Sequence, residues 1–318
     1  MRQELLSDNL STVILTAGDV LGIGPEIITK ALTSIPDQDQ SRVYLVDPAG
    51  SLAEEQKRFS LAGYVGPRQP INMTNFSPLE AGKFSWEALE IAAETAKKFA
   101  NACVVTAPVN KTRLRLAGFS YPGQTEFFAS RWGGDHPIMM LCDQKLRVVP
   151  LTIHMALKDV PTAVTEELFL KTINILTLEL QQKFSIKHPK IAICGINPHA
   201  GESGHMGREE IDAIKPWIES CQPYCLADLD GPLAADGIFM PDNVGKYDAI
   251  LGMYHDQVLV PFKALAFAGG VNATLGLKYL RTSPDHGTAD DIVGKNVADP
   301  RPMIAAMKMA LDTTYAQS

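Results

Sequence analysis

Short, almost wholly apolar runs alternate with stretches of helical periodicity, and this alternation limits the possible folds more than any other feature of the chain. TVILT (12–16), VYLV (43–46) and ACVVTA (102–107) are too short for helices and lack a polar face, as buried strands of a parallel sheet do. Between them, Pro25 suits the first turn of a helix with Ile27, Ile28, Ala31 and Leu32 on one side. FSWEALEIAAETAKKFA (84–100) repeats at helical spacing as well. Strand, helix and strand in series predict an α/β fold with largely parallel strands.

The middle of the chain breaks this rhythm. IMMLC (138–142) and LRVVPLTIHM (146–155) flank the tripeptide DQK, the spacing of an antiparallel pair that begins a second domain. Beyond it the pattern predicts a helix over 164–183, a strand at KIAICGI (190–196), a helix over 207–220 and a strand at DAILGMY (248–254). PMIAAMKMALDTTY closes the chain as a helix with Ile304, Met307 and Leu311 on one side. A length of 318 residues exceeds one ordinary core, and no repeat or low-complexity linker separates two halves. Two interwoven domains are expected.

Composition removes several function classes. The net charge of −7 and the lack of any lysine or arginine run argue against a broad nucleic-acid surface. No apolar run reaches the roughly 18 residues of a membrane span, and the N-terminal VILTA is too short for a signal peptide. Cys103, Cys142 and Cys194 sit inside strand-like runs. Cys221 and Cys225 are close in sequence but have no second Cys or His pair at zinc-site spacing. Free thiols of a reducing cytoplasm are expected.

Three histidines recur in one kind of place: His154 in VVPLTIHM, His199 in IAICGINPH and His255 in AILGMYHDQ, each at or just past a strand-like run. Strand ends are where α/β folds project functional groups, and imidazole is the commonest ligand of a borderline divalent metal. Each alone could be a hydrogen-bonded structural histidine; the shared placement favours a metal set. His205 reads as loop structure, and His136 and His188 lie in polar, turn-like settings. Gly18, Gly22 and Gly24 permit close backbone approach to a ligand, although their spacing is not GxGxxG. PDHGTADDIVGKNVADP (284–300) is a capping loop or a functional one. Lys111, Lys263 and Arg281 follow strand-like stretches, where they suit a carboxylate or phosphate or else face solvent.

Together the stretches GDVLGIGPEI, TAPVNK, AGFSYPGQTEFFA, NPHAGESGHMGREE, DGPLAAD, MYHDQVLVPFK and GVNATLGLKYLRTSPDHGTA resemble the 4-hydroxythreonine-4-phosphate dehydrogenase family of pyridoxal-phosphate biosynthesis, in unchanged order over nearly the whole chain. The resemblance implies an isocitrate/isopropylmalate-dehydrogenase-like α/β fold. Residues 1–128 with 272–318 would form one domain carrying a cofactor-side loop. Residues 129–271 would form the other, with the metal ligands and the interface of a homodimer whose sites are completed across it. It implies that His154, His199 and His255 bind a divalent metal (Zn, Mg or Co), one or more of them from the partner. Thr125, Lys263, Asn272 and Arg281 would contact a phosphorylated substrate, with Gln124 beside them and Asp236 close by. His286 and Gly287 would lie on the cofactor side, toward NAD or NADP.

The implied reaction oxidises a secondary alcohol by hydride transfer to NAD and then loses carbon dioxide, with Lys263 and Asp236 managing protons. A paralogous dehydrogenase of 4-phosphothreonate or 4-phosphoerythronate would keep the same metal and phosphate sites. A phosphate acyltransferase, of another class, would need neither NAD nor three metal histidines. One departure stands out: the family usually has GHTEF where this chain has Gly123-Gln124-Thr125-Glu126-Phe127. Glutamine hydrogen-bonds at any pH but cannot carry the charge of an imidazolium.

Overall fold

The protein is described by a computed structural model over residues 10–67, 76–266 and 269–313. The first leg comprises β1 (Thr12–Thr16), α1 (Gly24–Ser34), β2 (Val43–Val46), β3 (Gly63–Val65), α2 (Pro78–Ala96), β4 (Ala102–Thr106), α3 (Lys111–Leu116) and α4 (Gln124–Trp132). The second holds β5 (Ile138–Cys142), β6 (Arg147–Thr152), α5 (Glu166–Gln182), β7 (Lys190–Cys194), α6 (Lys215–Cys221), β8 (Asp228–Leu233), α7 (Ala235–Ile238), β9 (Ala249–Tyr254) and α8 (His255–Leu265). A last leg adds β10 (Val271–Leu275), β11 (Leu280–Pro284) and α9 (Arg301–Asp312). Two compact units result, Met1–Pro137 with Val271–Ser318, and Ile138–Gly270.

In the first unit the strand order is β3-β2-β1-β4-β11-β10. All neighbours are parallel except the β10/β11 pair. The expected parallel strands form because β1 and β4 are buried almost throughout, leaving no face for water. α2 lies on this sheet through Ala88, Leu89, Ala92, Ala93 and Ala96, side chains small enough to let the helix close on Ile14 and Val104. Phe127, Phe128 and Trp132 of α4 join the same core, and the Trp132 indole donates to the Ala93 carbonyl at 3.0 Å. This packing fixes the helix that begins at Gln124.

The second unit orders its strands β5-β6-β9-β7-β8, with β5/β6 the expected antiparallel pair and the rest parallel. Its core gathers Leu141, Val148, Ala192, Ile250, Val258 and Phe262. Buried Cys103, Cys142 and Cys194 fall where the strand-like runs placed them, and all five cysteines are free thiols. No described helix is long and apolar enough to cross a membrane.

Several expectations shift. The helix expected over 84–100 starts earlier, at Pro78, because Ser77 and Glu80 form a capping box. The helix expected over 207–220 opens as a π-helical turn at Glu210–Ile214 before α6. The run LRVVPLTIHM is strand only to Thr152; Ile153 and Met155 are exposed. On α9 the buried residues are Met303, Ala306, Met307, Ala310 and Leu311, so Ile304 lies at the margin of the face. Thr314 and Tyr315, and the first nine residues, lie outside the described residues.

Candidate active site

Arg281 is the central residue of the first unit's candidate site. It sits on β11 between Val104 of β4 and Thr274 of β10, so two neighbouring strands flank its side chain. It is 6% exposed. Its guanidinium donates to the Thr106 hydroxyl from Nε (3.1 Å) and Nη2 (2.8 Å), to the Thr274 hydroxyl at 3.4 Å, and to the Gln124 side-chain oxygen at 3.2 Å. Each of these acceptors is neutral. Burial pushes Arg281 down to about 10, and Glu126, acting through space, opposes that shift. Among the described residues every hydrogen-bond acceptor of this buried cation is a neutral oxygen, an arrangement that suits an incoming anion.

Sequence-predicted neighbours lie around it. Asn272 pairs with Ser283 and Thr274 pairs with Arg281 across β10/β11, so all four share one face of the sheet. Gln124 and Thr125 are the first two residues of α4, half-buried. Because the Gln124 carbonyl faces Arg281, its amide NH2 is directed elsewhere and is available as a donor. Lys111 begins α3 and is exposed.

The glycines of GDVLGIGPEI serve the chain's own packing rather than an approaching ligand. A Cβ on Gly24 would lie 2.4 Å from the Ala17 carbonyl oxygen, on Gly18 2.6 Å from that of Pro108, and on Gly22 2.9 Å from Thr288 Cβ. The segment 284–300 is stitched onto this loop. Ile23 N donates to Thr288 O (3.0 Å), Lys30 reaches the carbonyls of Asn296 and Ala298, and Arg113 bridges Asp19 and Asp290. Within that anchored segment, His286 Nδ1 lies 3.0 Å from Gly287 O, while its buried Nε2 has no partner. Nothing stands within 4 Å of where a Gly287 Cβ would be. The buried Nε2 is a polar ring atom that the described residues leave unsatisfied, and a polar group of a cofactor could complete it.

In the second unit, β6 and β9 are adjacent and parallel, with Thr152 opposite Tyr254. The Thr152 hydroxyl donates to Met253 O at 2.7 Å and locks the two strand ends together. His154 follows β6 by two residues and His255 follows β9 directly, and their rings stand 5.9 Å apart. His255 Nδ1 is 2.7 Å from the Asp256 carboxylate; in the tautomer that donates there, Nε2 keeps its lone pair. This donor chemistry fits a divalent ion.

His199 is exposed on the turn Pro198–Gly204, where φ is positive at every residue from His199 to Ser203. Among the described residues no group of three His, Cys, Asp or Glu side chains gathers within one chain to hold a metal. α7, which carries exposed Asp236 in its first turn, packs against the His199 turn. Lys263 lies in the last turn of α8, exposed. Sequence reasoning passed over Thr106, Arg113, Asp256, Gln257 and Glu210. Of these, Asp256 and Gln257 were visible beside His255 in MYHDQ; the others reveal themselves only through their partners.

Comparison with known proteins bears on the whole of this arrangement. Residues 26–310 match the family described as pyridoxal phosphate biosynthetic protein PdxA. A 4-hydroxythreonine-4-phosphate dehydrogenase of Zymomonas mobilis is 38% identical, with 96% of each chain covered. One of Paracoccus denitrificans is 40% identical, covering 94% of this chain and 96% of its own. The solved structure of the enzyme so named from Klebsiella pneumoniae superposes with a TM-score of 0.80 at 32% identity, over 94% of this chain and 98% of that one. A terephthalate 1,2-cis-dihydrodiol dehydrogenase from Burkholderia xenovorans is more distant, at TM-score 0.69 and 27% identity over 95% and 97% of the two chains. With its α/β fold, its strand-end histidines and its buried arginine, the chain belongs to the PdxA family of pyridoxal phosphate biosynthetic proteins.

Proposed function

We propose that the chain catalyses the oxidation of 4-phosphooxy-L-threonine, with decarboxylation to 3-amino-2-oxopropyl phosphate, for pyridoxine 5′-phosphate formation. Arg281 carries this reading: a buried guanidinium with neutral partners requires an anionic ligand, and the relatives are named for a phosphorylated substrate. Arg281, Thr125, Asn272 and the Gln124 amide would hold that anion. Lys263 would take or return a proton at the substrate hydroxyl and at the carbon that loses carbon dioxide, with Asp236 as its partner. His286 and Gly287 would meet NAD or NADP, which accepts the hydride. His154, His199 and His255 would hold a divalent ion, which polarises a substrate oxygen when bound.

A homodimer would complete the site, since His154 and His255 pair in one chain and, among its described residues, no third ligand joins them. The free thiols suit a cytoplasmic enzyme. A second reading rests on Gln124, the one departure from the GHTEF pattern of the family resemblance: the substrate would be 4-phosphothreonate or 4-phosphoerythronate. The test is NADH formation over a panel of phosphorylated hydroxy acids, with and without a chelator. Turnover of 4-phosphooxy-L-threonine, abolished by chelation and restored by metal, is expected. Turnover of the threonate alone would replace the first reading with the second.

A further inference from the structure

Gly195, just past β7, is met by two side chains from different parts of the second unit. Gln257, two residues beyond His255, donates from Nε2 to the Gly195 carbonyl at 2.6 Å and accepts from Met253 N at 2.7 Å. One amide therefore ties the backbone before His255 to the backbone before His199. Glu210 approaches the same segment from the π-helical turn. Its carboxylate, on a residue only 2% exposed, accepts from Asn197 N at 2.7 Å and from Asn197 Nδ2 at 3.0 Å. A Cβ on Gly195 would stand 2.9 Å from one Glu210 oxygen, and a Cβ on Gly201 2.6 Å from the other. Those glycines leave room for a carboxylate.

The turn itself needs such support. L-residues avoid the left-handed region, yet His199, Ala200, Glu202 and Ser203 all occupy it in succession. Such a run persists only where its surroundings over-determine it. Asn197, which leads into the turn, is held at both its backbone and its side chain by Glu210, and Glu209 accepts from the same amide at 2.7 Å.

We propose that Glu210 and Gln257 are positioning residues that set where His199 and His255 stand. Glu210 holds the left-handed turn, and Gln257 ties the start of α8 to the strand end from which that turn departs. Neither needs to touch the ion. The inference rests on the reading that these histidines bind a divalent metal, and the experiment separates the two. Full-length, metal-stripped protein would be titrated with Co(II), following visible absorption and calorimetric affinity, with thermal unfolding recorded alongside. Gln257→Glu keeps the acceptor for Met253 N but sets an oxygen against the Gly195 carbonyl. Glu210→Gln keeps size and loses the charge and one acceptor. Both variants should bind Co(II) about 10- to 100-fold more weakly, with an altered visible spectrum at saturation. Wild-type affinity and spectrum in both, even with lowered thermal stability, would make these residues merely structural and overturn the proposal. Undiminished Co(II) binding by His199→Ala and His255→Ala would instead overturn the metal reading, and the proposal with it.

Discussion

Arg281 and Gln124 form a pair whose stability and function pull in opposite directions. Converting the neutral acceptor to a carboxylate, Gln124→Glu, would give the buried guanidinium a counter-charge. Chemical denaturation should then show a gain on the order of 1–3 kcal/mol, since hydrogen bonds to charged groups are worth about that. The same change places a negative charge at the anion position proposed for the substrate, so substrate KM should rise at least tenfold (about 1.4 kcal/mol). A parallel loss of stability and affinity would remove the pair from the site. Arg281→Ala should raise KM by about 10- to 100-fold, the equivalent of a charge-assisted contact. The pH dependence has a definite sign. Arg281 is a base lowered to about 10, so its charged form costs the folded state stability in full below that pH, and the cost shrinks progressively as pH rises from there toward the range of a free guanidinium. An anion that binds Arg281 offsets the cost, so inorganic phosphate should raise the melting temperature at pH 7–9 and lose that effect as pH climbs through about 10. The thiols give a simpler expectation: burial pushes Cys142 and Cys194 up to about 12, so neither is a thiolate at pH 8. A thiol reagent should therefore label half-buried Cys221 and Cys225 in the native protein and reach Cys142 and Cys194 only after denaturation.

Among the described glycines, Gly82 leaves the least room for a side chain, where α2 meets α3. A Cβ on Gly82 would lie 2.0 Å from the Arg113 carbonyl oxygen, and that oxygen is backbone. Gly82→Ala must push the helices apart, with a loss of about 1–3 kcal/mol measurable by denaturant unfolding. It should also loosen the Arg113 bridge between Asp19 and Asp290. No change in stability would show that the contact relaxes freely. What could be read from the sequence follows the range over which each feature is determined. β1, β2, β5, β9 and the buried face of α1 were legible because each depends on its own side-chain pattern. His154 and His255 were legible as strand-end residues. The left-handed turn was not: the room at Gly195 and Gly201 is taken by Glu210, which comes later in the chain and signals nothing locally. Arg281 could be flagged as basic, but its lack of a carboxylate partner is a property of three strands and a helix together.

At the scale of the whole molecule, the proposed sharing of a site between protomers makes a prediction about mixtures. His154→Ala and His199→Ala homodimers should each be inactive. If one site draws His154 from one protomer and His199 from its partner, co-refolded mixed dimers contain one intact site. Random pairing then restores about a quarter of wild-type activity. No recovery, with mixed dimers shown by mass spectrometry, would place all three ligands in one protomer.

The sheet order of the first unit also has a consequence for synthesis. β11, which bears Arg281, lies between β4 and β10, yet the intervening Ile138–Gly270 unit is made before it. A nascent chain emerging from the ribosome can therefore complete that middle unit while β4, buried along its whole length in the finished protein, still shows a bare apolar edge. The strand that bears Arg281 is the piece that closes this edge. Translation arrested before residue 280 leaves a product with neither Arg281 nor a covered sheet, a fragment suited to prompt capture by chaperones or proteases.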